Sequence, residues 1–337
     1  MKKFNIAVVG ATADTGIDIL NTLADRKFPT SNVYGISSSG LVGKEVSFGD
    51  EILNVVAIDS VDFSDIDITF FVADVESTNK YSPQAIKYGG NIIVESEYLK
   101  LDSSVPIIVP EVNLADAKFL AKGNIIANPC PIAIMLSLVL KPLDNASKIN
   151  RLIVSTYQSV SDTGKAGMNE LYSQTKGKYA LEELPPKVFS EQIAFNILPK
   201  IGNFDEKGCT TEELKIEHEL KKIMGVHISS SITCVRVPVF VGHCISVNVE
   251  FASELSASTA EEILSEADGV CVLSLENDMN YITPIRVVGD ELIYISRIRN
   301  DISKENTLNL WISGDNLRKG KALNAVQIAE ELINNYL

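Results

Sequence analysis

Positive charge is scarce in this sequence: 30 Lys and Arg stand against 44 Asp and Glu, a formal net charge of −14. Such a surface repels phosphodiester backbones and anionic lipid, so neither a nucleic-acid nor a membrane partner is expected. Long apolar runs are missing as well. No stretch reaches the roughly 20 apolar residues of a membrane span. The run 6–9, behind Met1-Lys2-Lys3, is too short for a secretory leader and is broken at once by Gly10. Five cysteines, Cys130, Cys209, Cys234, Cys244 and Cys271, are odd in number and widely scattered. With His218, His227 and His243 they form no ligand spacing. The expectation is a reduced, cytoplasmic protein with no disulfide framework and no metal. Internal repeats and low-complexity linkers are also lacking.

What is present is enough apolar material for two cores, since 337 residues are 45% hydrophobic and 22% charged. In the first 125 or so residues short apolar runs alternate with amphipathic stretches. Strands are expected at 4–9, 33–36, 55–58, 68–72, 91–94 and 106–109. The first is followed by Gly10-Ala11-Thr12-Ala13-Asp14-Thr15-Gly16 and then by Ile17-Asp18-Ile19-Leu20 at helical spacing. This alternation predicts an α/β protein with a Rossmann-like, doubly wound parallel sheet at its N-terminus. From about residue 151 longer β-rich runs take over, at 151–160, 232–240 and 246–251, divided by a polar helical stretch near 210–224. An α+β second domain is expected there. Residues 319–337 form an amphipathic helix with Ala322, Leu323, Val326, Ala329 and Leu332 on one face, expected to pack back on the first domain. The predicted division is 1–128 with 318–337 for the first domain and 129–317 for the second.

The turn after the first strand is a candidate phosphate cradle, because glycines there let a pyrophosphate approach a helix N-terminus. Only Gly10 and Gly16 of the usual three remain, Ala13 holding the middle place, so a nucleotide site and a plain tight turn are both open on this pattern alone. Ala13-Asp14-Thr15-Gly16 also spells the aspartic-protease signature, but that carboxylate pair needs an all-β setting and this one lies between a strand and a helix.

Further along come Val109-Pro110-Glu111-Val112-Asn113 and Ile126-Ala127-Asn128-Pro129, then Ser155-Thr156-Tyr157-Gln158-Ser159-Val160-Ser161 with Gly164-Lys165-Ala166-Gly167-Met168. Ala194-Phe195-Asn196 follows, then Arg236-Val237-Pro238-Val239 running to Gly242-His243. Last are Asp315-Asn316-Leu317-Arg318-Lys319-Gly320 and Leu323-Asn324-Ala325-Val326-Gln327. In this order they resemble the signatures of the aspartate-semialdehyde dehydrogenase family along nearly the whole chain. The resemblance implies a dinucleotide domain plus a substrate-binding and dimerisation domain. It also implies NADPH-dependent reductive dephosphorylation of β-aspartyl phosphate to aspartate semialdehyde, on the route to lysine, threonine and methionine.

The same resemblance implies site roles. His243 would be the acid/base, Gln158 the substrate-orienting residue, and Arg236 the grip on the substrate carboxylate. Glu212 and Lys215 would hold its amino and phosphate groups, and Lys100 would stand near a phosphate-binding arginine's place. NADP would be held by Gly10, Thr12, Gly16, Ser37, Asn316 and Gln327. A small acidic amino-acid derivative is the expected partner, with a homodimer or a heterodimer with a paralogue as the assembly.

The sequence departs from the family at the nucleophile. Where the family reads Asn-Pro-Asn-Cys-Ser-Thr, this chain reads Asn128-Pro129-Cys130-Pro131-Ile132-Ala133, which puts Pro131 at the cysteine's position and Cys130 one residue early. Proline offers neither thiol nor N–H. Asp74 and Val75 replace a glycine pair on the cofactor side, and Gly40 replaces the arginine that grips the NADP 2′-phosphate, which predicts weakened or absent cofactor binding. Two expectations follow: an enzyme that relies on Cys130 or on an altered mechanism, or a non-catalytic homologue that serves as a binding or regulatory dimer partner.

Overall fold

Strand β1 (Phe4–Val9) is buried at every position but one, the pattern of a central strand in a parallel sheet covered on both faces. The computed structural model describes residues 2–37, 41–88, 90–95, 104–117, 125–225, 228–274, 280–335 and 337. By compactness these fall into two units, Met1–Pro129 with Lys321–Leu337, and Cys130–Gly320.

In the first unit β1 leads into helix α1 (Asp14–Asp25) and β2 (Thr30–Ser37). A hairpin follows, β3 (Glu45–Phe48) with β4 (Glu51–Asn54), and then β5 (Val56–Ala57), β6 (Ile68–Phe71), helix α2 (Val75–Lys87) and β7 (Asn91–Val94). The short helix α3 (Pro110–Asn113) and β8 (Ile125–Ala127) complete this stretch. The main sheet has the order β5-β2-β1-β6-β7-β8 and all its pairs are parallel. The strand expected at 106–109 is reduced to a single bridge, Ile107 to Ala127. Pro106 O and Ile108 N still bond Ala127, but the next donors along the ladder would be Pro110 and Pro129, which have no N–H. On the edge facing away from β8 the Asn113 side chain accepts from Val109 N at 2.9 Å and donates to Ile107 O at 2.8 Å.

The second unit holds helices α4 (Pro131–Ala146), α5 (Gly164–Ala180), α6 (Thr211–Met224) and α7 (Ala257–Ser265). Its strands are β9 (Ile149–Gln158), β10 (Ser229–Arg236), β11 (His243–Phe251), β12 (Val270–Leu273), β13 (Ile293–Asn300) and β14 (Thr307–Gly314). They form one mixed sheet, β10-β9-β11-β14-β13-β12. The run expected to continue to residue 240 stops at Arg236: Val237 N still donates to Gln158 O at 3.0 Å, but Val239 N turns back to Val237 O at 2.8 Å and leaves the ladder. Helix α4 is apolar nearly all round and packs on β9, β11 and β14. The opposite sheet face exposes Ile153 and Tyr157, and Tyr157 lies against the half-buried Trp311, ring centroids 5.4 Å apart, whose Nε1 donates to Ile282 O at 3.0 Å. Helix α6 starts on a capping box in which Thr210 Oγ1 accepts from Glu213 N and Glu213 Oε2 accepts from Thr210 N.

The final helix, α8 (Leu323–Asn335), begins later than the sequence pattern predicts, after a π-helical turn at Arg318–Ala322. Asp315 Oδ1 accepts from Leu317 N and Arg318 N and fixes that turn. Ala325, Val326, Ile328, Ala329 and Leu332 of α8 enter the same core as Phe4, Ile6, Val8, Ile19 and Leu23.

Candidate active site

Strand register in the second unit brings distant residues to one sheet end. Arg236, last in β10, pairs with Gln158, last in β9, and His243, first in β11, pairs with Gly314, last in β14. All three side chains are buried, with His243 and Gln158 fully so. Ser159, the next residue after β9, is the hub. Its N–H donates to His243 Nδ1 at 3.1 Å, its Oγ lies 3.1 Å from the same nitrogen, and its carbonyl accepts from Arg236 Nη1 at 2.7 Å. Because Nδ1 accepts a backbone N–H, the neutral ring carries its proton on Nε2. Such a ring can donate from Nε2 or, once that proton is lost to a partner, take one back.

Asn316 secures this arrangement from behind. Its Oδ1 accepts from Gly242 N at 2.9 Å, Ser159 Oγ at 3.1 Å and Ser161 Oγ at 3.2 Å, and its Nδ2 donates to Ser161 Oγ at 3.0 Å. The sequence reading put Asn316 among nucleotide contacts; in the structure its amide is committed to the peptide turns that flank His243. Gln158 Nε2 donates to Thr156 Oγ1 at 3.3 Å, while its buried Oε1 has no hydrogen-bond partner among the described residues. Arg236 Nη2 also reaches Asp162 Oδ2 at 3.3 Å. Glu212 and Lys215, one turn apart on α6, form an ion pair at 2.5 Å. Lys100 lies outside the described residues.

Cys130 and Pro131 open helix α4. Cys130 is the N-cap, buried, with no side-chain cap bond, and Pro131 is the first helical residue. The Cys130 N–H donates to Glu219 Oε2 at 2.7 Å, so a carboxylate from α6 sits at the helix start. With that N–H spent and none on Pro131, the helix start presents fewer amides to an incoming anion than an ordinary N-terminus does. Two other thiols lie close to the sheet end and both are held protonated. Burial pushes Cys234 up to about 12, with the charges of Glu212 and Glu213 adding to the effect and the Thr156 hydrogen bond opposing it. Burial likewise pushes Cys244 up to about 11 against its hydrogen bond with Ser313.

In the first unit the β1–α1 turn has the shape of a phosphate cradle. Gly10 adopts φ +95°, and a Cβ there would meet Val72 O at 2.8 Å. A Cβ on Gly16 would meet Gly10 O at 2.2 Å, so glycine is needed for the helix to lie this close to the turn. Helix α1 has no side-chain cap hydrogen bond at Ala13, so its start directs the positive end of the helix dipole at this turn. Thr12 Oγ1 lies 3.1 Å from Ser37 Oγ, which joins the turn to the end of β2. Asp74 spends its carboxylate on its own helix, accepting from Ser77 N at 2.8 Å and Ser77 Oγ at 2.9 Å. Those two bonds hold its pKa below the usual carboxylate value. Gln327 donates to Glu111 Oε1 at 3.0 Å. Gly40 lies outside the described residues.

Sequence reasoning missed Asp162 and Glu219 and gave Ser159 no role of its own. The only available signal was for Glu219: Glu212, Ile216 and Glu219 share one buried stripe of α6, where a lone solvated carboxylate would be out of place.

A parallel sheet with a glycine turn of nucleotide-binding shape and a mixed sheet with a buried His–Arg–Gln cluster together define a two-domain α/β protein of the semialdehyde dehydrogenase class. The comparisons agree. The models for the semialdehyde dehydrogenase NAD binding domain and dimerisation domain match residues 5–119 and 140–319. The aspartate-semialdehyde dehydrogenase of Rickettsia conorii is 55% identical over 100% of this chain and 99% of its own length. That of Aquifex aeolicus is 39% identical over 99% of each. The structure of aspartate semialdehyde dehydrogenase II from Vibrio cholerae, complexed with ASA, superposes with a TM-score of 0.97 at 37% identity, covering 100% of both chains. This chain belongs to the aspartate-semialdehyde dehydrogenase family.

Proposed function

We propose that this chain binds the family's substrates, aspartate semialdehyde and β-aspartyl phosphate, and turns them over slowly because its nucleophile is displaced. Arg236 takes the carboxylate, Gln158 orients the ligand, Glu212 and Lys215 meet its amino and phosphate groups, and Lys100 adds positive charge beside the phosphate. His243 acts as acid/base through Nε2. The observation that carries this reading is the buried Gln158 Oε1 without a partner among the described residues. Such an atom costs on the order of 1–3 kcal/mol, which a ligand N–H or ammonium would offset. The Vibrio cholerae relative was solved with ASA, a ligand of this class.

The impairment follows from the start of α4. The thioester route needs an aimed thiolate, and here Pro131 supplies neither thiol nor N–H while Cys130 gives its N–H to a buried carboxylate. Cys234 and Cys244 remain thiols at neutral pH. Cys130, one residue from the family's place, is the nucleophile of this reading. Gly10, Thr12, Gly16 and Ser37 at the β1–α1 turn would hold NADP, with Gln327 on α8 of the same unit and with Asp74 and Val75 weakening the binding; when bound it supplies the hydride. The exposed Ile153 and Tyr157 on that sheet face suit pairing with a second copy. A second reading, a non-catalytic subunit partnering an active paralogue, is favoured by Pro131 itself.

The test is the reverse reaction, with aspartate semialdehyde, phosphate and NADP, run on wild type, Cys130→Ala and Pro131→Cys. Slow turnover abolished by Cys130→Ala and raised about tenfold or more by Pro131→Cys is expected. No turnover from folded wild type, with or without Pro131→Cys, overturns the enzyme reading in favour of the non-catalytic one.

A further inference from the structure

Arg236 is almost entirely withdrawn from solvent, its side chain 5% exposed, yet its outer nitrogen already faces a carboxylate of this chain: Nη2 lies 3.3 Å from Asp162 Oδ2, and the Asp162 side chain is 19% exposed. Among the described residues the guanidinium also donates to the Ser159 carbonyl, which carries no net charge. Asp162 stands on the short 3-10 turn Val160–Thr163 that leaves the end of β9, a turn held by Thr163 Oγ1 donating to Val160 O at 2.8 Å and followed by Gly164 at φ +67°. The acid therefore sits on a surface-facing corner directly beside the buried guanidinium. A single contact at 3.3 Å is longer than the 2.7–2.9 Å or so of a strong charge-assisted bond, and it is not the two-pronged fork arginine can make. A better-matched carboxylate can displace it.

We propose that Asp162 is a built-in competitor for the carboxylate site of Arg236, so that ligand carboxylates bind only by displacing it or by sitting against its charge. The proposal rests on the reading of Arg236 as the substrate's carboxylate grip. It makes Asp162 a specificity-determining residue. The site keeps its arginine neutralised when empty, and a ligand must bring a carboxylate able to form both prongs of the fork to gain from it. Weak or monodentate anions of the surrounding solution are screened out by the same device.

The test is calorimetric titration of the full chain with L-aspartate, comparing wild type, Asp162→Asn, Arg236→Leu and the double variant, each checked for folding by its Trp311 fluorescence melt. Asp162→Asn should bind about tenfold more tightly, the equivalent of one charge-assisted hydrogen bond, and the gain should vanish in the double variant. Asp162→Gly should reproduce the gain if asparagine perturbs the turn. If Arg236→Leu abolishes binding while neither Asp162 variant improves it, the competitor role is overturned and the carboxylate reading stands. If Arg236→Leu binds as well as wild type, the reading of Arg236 fails and the proposal falls with it.

Discussion

Replacing Asn316 by leucine, a residue of similar shape without polar atoms, strips the acceptor that holds both turns flanking His243. Three groups donate to Asn316 Oδ1: Gly242 N, Ser159 Oγ and Ser161 Oγ. The serines can partly re-pair, since their hydroxyls lie 3.1 Å apart and Ser159 Oγ also lies 3.1 Å from His243 Nδ1. Gly242 N cannot, because its direction is fixed by the backbone. One stranded N–H with two weakened hydroxyls costs about 3 kcal/mol in total, which for a unit of this size lowers the melting temperature by roughly 6–12 °C. The chain's one tryptophan, Trp311, belongs to the same unit, so its fluorescence reads the relevant melt. Asn316→Asp keeps an acceptor for all three donors and should lose much less. A leucine variant melting within about 2 °C of wild type, or an aspartate variant melting with it, would refute the assignment of Asn316 as the member that braces His243.

Two further outcomes follow from the geometry. Cys234 is raised from 9.0 to about 12 in the folded chain, so the protein binds that proton more tightly folded than unfolded; its contribution is complete below pH 9 and is lost as the pH rises toward 12. Wild type should therefore lose about 2 kcal/mol more than Cys234→Val between pH 8 and 10.5, read by urea unfolding at each pH. Gly16→Ala puts a methyl 2.2 Å from Gly10 O, and the turn must open. It should destabilise the first unit by about 1–3 kcal/mol in unfolding followed by circular dichroism, and unchanged stability would show that the close approach is not needed.

Much of the fold was legible because strand ends are marked in the chain itself. Gly10 closes β1, and both β1 and β7 end where the apolar runs end. The expected strand at 106–109 shrinks to one bridge because the next donors, Pro110 and Pro129, lack N–H, and that these two prolines come opposite each other is a matter of register that no apolar run reveals. The site was legible as a set of residues and illegible as a place. Ordered motifs singled out Gln158, Arg236 and His243, but that they meet around Ser159 is a matter of register between strands far apart in sequence. Asp162 and Glu219 escaped notice for the same reason: the first finds Arg236 at a separation of 74 residues and the second finds Cys130 at 89. A carboxylate on a helix or turn reads as solvated until its partner's position is known.

The composition of the first unit bears on how the protein is made. Its core is shared between β1, α1 and α8, and α8 is synthesised after every residue of the second unit. On the ribosome the second unit is thus complete while the first still lacks a wall of its interior. Residues such as Ile19 and Leu23 must wait, partly uncovered, until Val326, Ala329 and Leu332 emerge. At about 5–20 residues per second the wait lasts many seconds, so the glycine-turn domain, first in sequence, is the last to close.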